Sequence, residues 1–294
     1  MTASASCGAC RSGALRHWRN LGRGERLLLC EDCGHIQLEG YRIQPAEDEF
    51  AGVDSESYRR SMWPERSSAA RLMVADLARA GITGPLLDVG CSFGWLVREA
   101  TAAGFEAFGI DPSERAVEAA AEAGLAVKQG FFPEEDWERR DWSVIAFMDV
   151  LEHIPDLNGV LDAVRKRLRP GGAVAIQVPV STGAVFRAAL ALERVSGGAV
   201  AEPLDRMLQL TFPYPHVHYF RRRSLQALLS RFGFRELSAT ESPIATGNFA
   251  DRVSWSPTVS ATHRLEALGL AALVAAGRLA RRNDLLRVVA RLES

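Results

Sequence analysis

The sequence predicts an α/β protein in which helices cover both faces of a parallel sheet, with a small metal-binding module in front of it. Three observations support this prediction. Short apolar runs alternate with helical segments between residues 85 and 178, a pattern typical of βαβ units. Four of the five cysteines lie within the first 33 residues. Hydrophobic residues make up 47% of the chain, enough to fill a core.

The overall composition bounds the class of protein. A chain of 294 residues corresponds to about two domains at roughly 150 residues each. The net charge of −1 argues against a general binder of nucleic acid, which carries a basic excess. We see no basic segment followed by an apolar core at the N-terminus and no apolar stretch near the ~20 residues of a membrane span. We therefore expect a cytoplasmic protein.

The N-terminal cysteines predict a structural zinc site in residues 1–43. Two CxxC pairs are separated by nineteen residues: Cys7, Cys10, Cys30 and Cys33. Two such pairs can surround one tetrahedral Zn²⁺, and four thiolates leave no open position for catalysis. Two disulfides are the alternative, but they do not suit a reducing compartment. His17 and His35 are expected to stay outside the ligand set.

A polar segment, 44–63, is predicted to link the zinc ribbon to the main domain, 64–294. Pro64 opens a helical pattern that Gly81 ends. Apolar runs with the length of buried strands then follow at 85–89, 105–110, 125–129, 142–148, 173–178 and 284–292. Helical segments between them cover 95–103, 113–123 and 156–168.

Polar residues follow four of these strands, which places them at the carboxyl edge of the sheet, where such folds bind ligands. The first loop, from Gly90 to Gly94, has Ser92 where a dinucleotide fingerprint needs glycine and lacks the Lys-Ser/Thr of a P-loop. It therefore has no phosphate cradle. Asp111, 21 residues after Gly90, is placed to accept hydrogen bonds from ribose hydroxyls. An adenosine ligand without phosphate fits this pattern, and S-adenosylmethionine (SAM) is such a ligand.

Five segments together resemble the class I SAM-dependent methyltransferases, whose fold is Rossmann-like with an antiparallel last strand. They are LLDVGCSFGWL (86–96), GIDPS (109–113), SVIAFMDVLEHIPD (143–156), LRPGGAVAIQVP (168–179) and HVHYFRRRSLQALLSRFGF (216–234). The second knuckle, 30–38, resembles that of a bacterial subgroup with an N-terminal zinc ribbon. This subgroup includes sugar C-methyltransferases and enzymes of polysaccharide and natural-product pathways.

The resemblance implies a set of cofactor-binding residues. The methionine part of SAM is expected to lie against the first loop, at Asp88, Gly90, Cys91, Ser92 and Gly94. Asp111 is expected to hold the ribose, Gln129 to meet the adenine, and Asp149 to face the cofactor or the transferred methyl group. Asp88 can alternatively cap its loop, and Cys91 is interpreted as a small buried residue rather than a nucleophile.

Methyl transfer needs an acceptor aligned with the sulfonium carbon, and a hydroxyl acceptor gains from a general base. His153, His216 and His218 are the candidates, because imidazole titrates near neutral pH. His153 can instead cap or pack at the start of its helix. His216 and His218 flank one residue and point to the same side of an extended segment, which can equally be a packed aromatic turn.

Two further segments are assigned by position. Residues 181–215 are expected to form a lid that carries substrate specificity. Residues 243–283 are a helical insertion whose amphipathic helix packs on the domain or, alternatively, rests on a membrane surface or a partner subunit.

The predicted function is SAM-dependent methyl transfer to a small molecule, at a hydroxyl of a sugar-containing or secondary metabolite. The alternatives are an RNA methyltransferase with the ribbon as reader, a sugar C-methyltransferase, and a SAM-binding protein without catalysis.

Overall fold

The computed structural model describes residues 6–21, 24–41, 55–134, 137, 141–210, 214–244 and 261–293. Eleven strands occur within these ranges. In chain order they are β1 (Leu15–Asn20), β2 (Arg26–Cys30), β3 (Ile36–Glu39), β4 (Pro85–Val89), β5 (Glu106–Asp111), β6 (Val127–Gln129), β7 (Trp142–Met148), β8 (Leu168–Pro179), β9 (His218–Tyr219), β10 (Phe234–Ser242) and β11 (Leu285–Leu292).

Eight α-helices occur in the same described ranges, and a short 3-10 turn at Leu151–His153 precedes the fourth of them. The helices are α1 (Ser55–Arg79), α2 (Trp95–Ala102), α3 (Glu114–Glu122), α4 (Leu157–Arg167), α5 (Ala184–Val195), α6 (Glu202–Met207), α7 (Arg222–Arg231) and α8 (Ala261–Leu279).

A seven-stranded sheet forms the centre of the fold, in the order β10-β11-β8-β7-β4-β5-β6. The neighbours from β8 to β6 pair in parallel, whereas β11 is antiparallel to both β8 and β10. This confirms the predicted α/β class with its antiparallel last strand. Because helices cover both faces, β7 is an almost continuous buried apolar run, WSVIAFM.

The N-terminal module is joined to the main domain by a second sheet, of order β1-β2-β3-β9. Ile36 of β3 lies opposite Tyr219, and Gln37 lies opposite His218, in an antiparallel pair. Leu27 and Ile36 of the module are buried in one cluster with Phe186 of α5 and Tyr219. The predicted ribbon therefore shares backbone hydrogen bonds and a hydrophobic core with the segment that follows the lid.

Several boundaries differ from the prediction. The first helix starts at Ser55, inside the predicted linker 44–63, and continues through Pro64. Strand β8 starts at Leu168, five residues before the predicted start at 173, and runs through the Pro-Gly-Gly sequence. Three parts of the predicted linker, lid and helical insertion lie outside the described residues: 44–54, 211–213 and 245–260.

Helix α5, in the segment predicted to be a lid, packs against α8. Asp284, just before β11, accepts a hydrogen bond from the backbone amide of Val185 at 2.8 Å, at the start of α5. Ala184 donates its amide to the carbonyl of Arg282 at 3.0 Å. Ala267 and Val274 of α8 are buried. Among the described helices, none combines the length and apolarity that crossing a membrane requires.

Candidate active site and cysteine cluster

A cavity of about 540 Å³ opens at the carboxyl ends of β4, β5 and β7. Seven of the eleven predicted cofactor and catalytic residues line it: Asp88, Gly90, Cys91, Ser92, Asp111, Asp149 and His153. The parallel register of β4, β5 and β7 brings these residues together, because the polar residues at the strand ends then share one edge.

The loop after β4 depends on backbone conformations that favour glycine. Gly90 has φ 71° and Gly94 has φ 74°, both in the left-handed region. A Cβ at Gly90 would clash with the side chain of Val150, and one at Gly94 would reach Leu125. Gly94 supports this turn at the start of α2 and does not itself belong to the cavity lining.

Asp111 is held by the backbone. One carboxylate oxygen accepts the amide of Ser92 at 2.7 Å, and the other accepts the amide of Ser113 at 2.9 Å. Burial raises the pKa of Asp111, and these two amides partly oppose the rise. Its carboxylate is therefore fixed at the cavity wall, where it can accept hydrogen bonds from ligand hydroxyls.

Asp88 is more deeply buried than Asp111, and one of its carboxylate oxygens is unpaired. Its side chain is 2% exposed, and its Oδ1 has no hydrogen-bond partner among the described residues. Burial, and next the charge of Asp111, raise the pKa of Asp88 well above the usual value. A cationic ligand in the cavity would satisfy this carboxylate, so the residues present fit the amino group and sulfonium of SAM.

The opposite wall carries a charged network around Asp149. Arg66 of α1 forms an ion pair with Asp149, and Gln177 donates its side-chain amide to the same carboxylate at 3.1 Å. The guanidinium of Arg66 also lies 5.8 Å from the centre of the Trp95 ring. Asp149 has φ 58°, a strained conformation that keeps its side chain at this wall.

His153 is the predicted catalytic histidine that the structure brings to the cavity. Its Nδ1 lies 2.8 Å from the carbonyl oxygen of Tyr214, and because a carbonyl only accepts, Nδ1 carries the proton. Burial lowers the pKa of His153, so the ring is neutral at pH 7. Nε2 is therefore the nitrogen with a free lone pair.

His216 and His218 are buried and do not line the cavity. The Nε2 of His218 donates to the carbonyl of Pro155 at 3.3 Å, and its Nδ1 accepts from Nε2 of His35 at 3.0 Å. Both ring nitrogens are thus occupied, and burial lowers the pKa of His218 to about 4. His218 therefore joins His35 of the N-terminal module to Pro155, a placement that does not suit an acceptor base.

Gln129 is another predicted residue placed away from the cavity. It is exposed, and its side-chain amide donates to the carbonyl of Pro112 at 3.2 Å. The wall beyond β6 consists instead of Gly130, Phe131, Phe132 and Glu134. Sequence reasoning missed Arg66 as well, because nothing in an isolated helix pattern shows that α1 crosses this edge of the sheet.

The four N-terminal cysteines converge as predicted. Sulfur atoms of Cys7 and Cys33 lie 3.6 Å apart, and those of Cys10 and Cys30 are also 3.6 Å apart. All five cysteines of the chain are free. Tetrahedral zinc with Zn–S bonds of ~2.3 Å places sulfurs about 3.8 Å apart, so the cluster fits this metal. The hydrogen bond from Cys33 lowers the pKa of Cys7 to about 5, which favours a thiolate.

Comparison with known proteins identifies the family. A family model described as a methyltransferase domain matches residues 59–239. The ubiquinone biosynthesis O-methyltransferase of Nitrobacter winogradskyi is 35% identical over 95 residues, 31% of this chain. That of Thiobacillus denitrificans is also 35% identical, over 104 residues, 33% of this chain. The match spans 36% and 45% of those proteins, less than half of their length.

Solved structures show the same fold at low sequence identity. The Haemonchus contortus phosphoethanolamine N-methyltransferase 2 in complex with SAM is 15% identical, with a TM-score of 0.56 over 88% of this chain and 63% of its own. The plantazolicin methyltransferase BpumL in complex with SAH is 14% identical, with a TM-score of 0.50 over 85% and 92% of the two chains. From its family match, its sheet order and its cavity, this chain belongs to the class I SAM-dependent methyltransferases.

Proposed function

We propose that the enzyme methylates a hydroxyl group of a small molecule, in a sugar-containing or secondary metabolite. The observation that supports this most directly is the arrangement of the cavity, with buried carboxylates on one wall and a neutral histidine on the other. The relatives named as O-methyltransferases are consistent with an oxygen acceptor. SAM supplies a methyl group that is already activated on a positively charged sulfur.

The residues of the chain then have distinct roles. Asp111, fixed by two amides, accepts hydrogen bonds from the ribose, and Asp88 faces the cationic end of the cofactor. Gly90 and Gly94 keep side chains out of the space above β4. Aligning the acceptor oxygen, the methyl carbon and the sulfur supplies much of the rate enhancement.

His153 is assigned to activation of the acceptor. Its neutral ring presents a lone pair on Nε2, because Nδ1 is committed to Tyr214. Arg66 and Asp149 lie beside it and orient the polar groups of the acceptor. A neutral histidine in this position suits an acceptor hydroxyl that has to lose its proton as the new bond forms.

We also propose that Cys7, Cys10, Cys30 and Cys33 hold one structural zinc ion. Their spacing in the sequence and the sulfur separations support this assignment. Free thiols fit a reducing compartment, the cytoplasm. The zinc holds together the module whose β3 pairs with β9, and its closed thiolate shell takes no part in the chemistry.

Turnover with methyl-labelled SAM and a panel of hydroxylated sugars, phenols and amines tests the proposal. We expect label in hydroxylated acceptors, and a His153→Gln variant that loses at least about 100-fold in kcat while its affinity for SAM stays unchanged. Label found only in amines, or in RNA, would contradict the hydroxyl assignment. Unchanged turnover of His153→Gln would remove this histidine from acceptor activation.

A further inference from the structure

A second group of metal-binding side chains lies beside the cavity, separate from the cysteines. Suitable ligand atoms of Glu152, His153 and His216 all lie within 4.8 Å of one another. Glu152 comes from the turn after β7, whereas His216 comes from the segment before β9. Two parts of the chain that are distant in sequence therefore bring one carboxylate and two imidazoles together.

Three polar atoms of this cluster lack hydrogen-bond partners among the described residues. Glu152 is 0% exposed, and neither of its carboxylate oxygens accepts a hydrogen bond from the described residues. The Nδ1 of His216, which is 7% exposed, is equally unpartnered. The closest approach is 4.0 Å, between Nε2 of His216 and Oε1 of Glu152. A buried carboxylate in this condition is costly unless another group compensates it.

The neighbouring side chains do not supply that compensation. The rings of His153 and His216 pack edge to face with their centroids 4.7 Å apart, and neither donates a hydrogen bond to Glu152. Arg66, a cation of this wall, is already paired with Asp149, and Gln177 donates to the same carboxylate. A cation between the three ligand atoms would compensate the carboxylate and use the free nitrogen lone pairs.

The histidine tautomer also points to a metal. Metal-ligating histidines usually donate their second ring N–H to a carbonyl or carboxylate, and Nδ1 of His153 does so toward Tyr214 at 2.8 Å. Metal–ligand bonds of ~2.1 Å keep ligand atoms within about 4.2 Å of one another. A small inward rotation of the side chains is enough to reach this from 4.8 Å.

We propose that Glu152, His153 and His216 bind a divalent transition-metal ion that faces the acceptor through His153. This inference rests on the proposed function and specifies how His153 activates the hydroxyl. His153, the one ligand of the three that lines the cavity, then gives its Nε2 lone pair to the ion instead of to the acceptor proton, and the open coordination positions of the ion face the acceptor beside it. The ion favours loss of the hydroxyl proton to water. The oxygen then bonds to the methyl carbon as the carbon–sulfur bond breaks, and the electron pair stays on sulfur.

Equilibrium dialysis of the zinc-loaded full chain against Mn²⁺, followed by electron paramagnetic resonance, tests this site. Thiolates bind Mn²⁺ weakly. Mn²⁺ therefore reports on the nitrogen–oxygen site, while zinc stays bound to the cysteines. We expect one Mn²⁺ per chain in the wild type and at least tenfold weaker binding in Glu152→Gln and His216→Gln. Zinc content and SAM affinity should not change. The matched control, His17→Gln on the exposed ribbon face, should keep its Mn²⁺.

A measurement without substitutions supports the location. In the wild type, Mn²⁺ should broaden the ring resonances of His153 and His216 before that of His17. Wild-type protein that retains no Mn²⁺ at millimolar concentration overturns the inference, as do variants that bind it normally. Protein that binds Mn²⁺ but not SAM supports the metal site and contradicts the proposed function instead.

Discussion

At the scale of single residues, Asp88 and Asp111 are the two buried carboxyl groups proposed to bind the cofactor. Both are buried next to each other, and burial raises the pKa of each. Hydrogen bonds from the backbone amides of Ser92 and Ser113 offset part of the cost of burying Asp111. Such unfavourable burial of charge is typical of a site that a ligand completes.

Replacing Asp111 with alanine should abolish measurable SAM binding while the fold is retained, since the carboxylate faces the cavity rather than the core. Calorimetry measures the affinity, and circular dichroism checks the fold. Glu118→Ala, an exposed glutamate on the adjacent helix α3, is the matched control and should bind SAM normally. A folded Asp111→Ala protein with wild-type affinity would refute the ribose assignment.

His218 makes stability depend on pH. Its folded-state pKa of about 4 lies below the ~6.5 of an unfolded histidine, so between these values the unfolded chain binds the extra proton. Stability therefore falls as the pH falls through that window. Relative to His218→Gln, which keeps hydrogen-bonding groups, the wild type should lose about 2 kcal/mol more between pH 7 and pH 5. Urea unfolding at both pH values measures the difference, and an identical pH dependence would contradict it.

At the scale of elements, the N-terminal module packs behind the segment that carries Glu152 and His153. The carbonyl of Val217 accepts the amide of Leu38 at 2.9 Å, and its amide donates to the carbonyl of Glu152 at 2.9 Å. Arg231 of α7 donates to the carbonyl of Ala9 at 2.5 Å, beside the first CxxC pair. The ribbon thus supports the segment that continues into His153.

Cys30→Ser should lose the structural zinc and weaken acceptor binding more than SAM binding. The reason is that β3 and β9 support the acceptor wall, whereas the loop after β4 belongs to the large sheet. Elemental analysis measures the zinc, and the KM for the acceptor is compared with the Kd for SAM. Cys91→Ser, outside the cluster, is the control and should keep its zinc. Full zinc content in Cys30→Ser would contradict the proposed ribbon.

Much of the element order could be predicted, because strands buried on both faces read as apolar runs and the polar residues follow their ends. The β4 loop, Asp111 and Asp149 were found in this way, and the structure brings them to one cavity. The pairing of β3 with β9 could not be predicted, since β9 is two residues long and has no pattern of its own. For the same reason, the sequence did not indicate that His218 binds His35.

At the scale of the whole molecule, one sheet edge brings together the residues proposed to bind both reactants. The strands β4 and β5 end at the carboxylates proposed to hold the cofactor, and β7 ends at the network of Asp149 and His153. The second sheet joins the module that carries the cysteine cluster to β9, which follows His216 in the chain. With a net charge of −1, the chain has no general attraction for polyanions, which agrees with a small-molecule acceptor.

Isothermal titration calorimetry of the full chain with SAM, and separately with NAD, tests whether the cavity binds this cofactor. We predict one SAM per chain, no heat from NAD, and a melting temperature that rises by roughly 5 °C at about 100 times the Kd, where linkage adds ~2.7 kcal/mol. No SAM binding at millimolar concentration, or preferential binding of NAD, would contradict the assignment of the cavity.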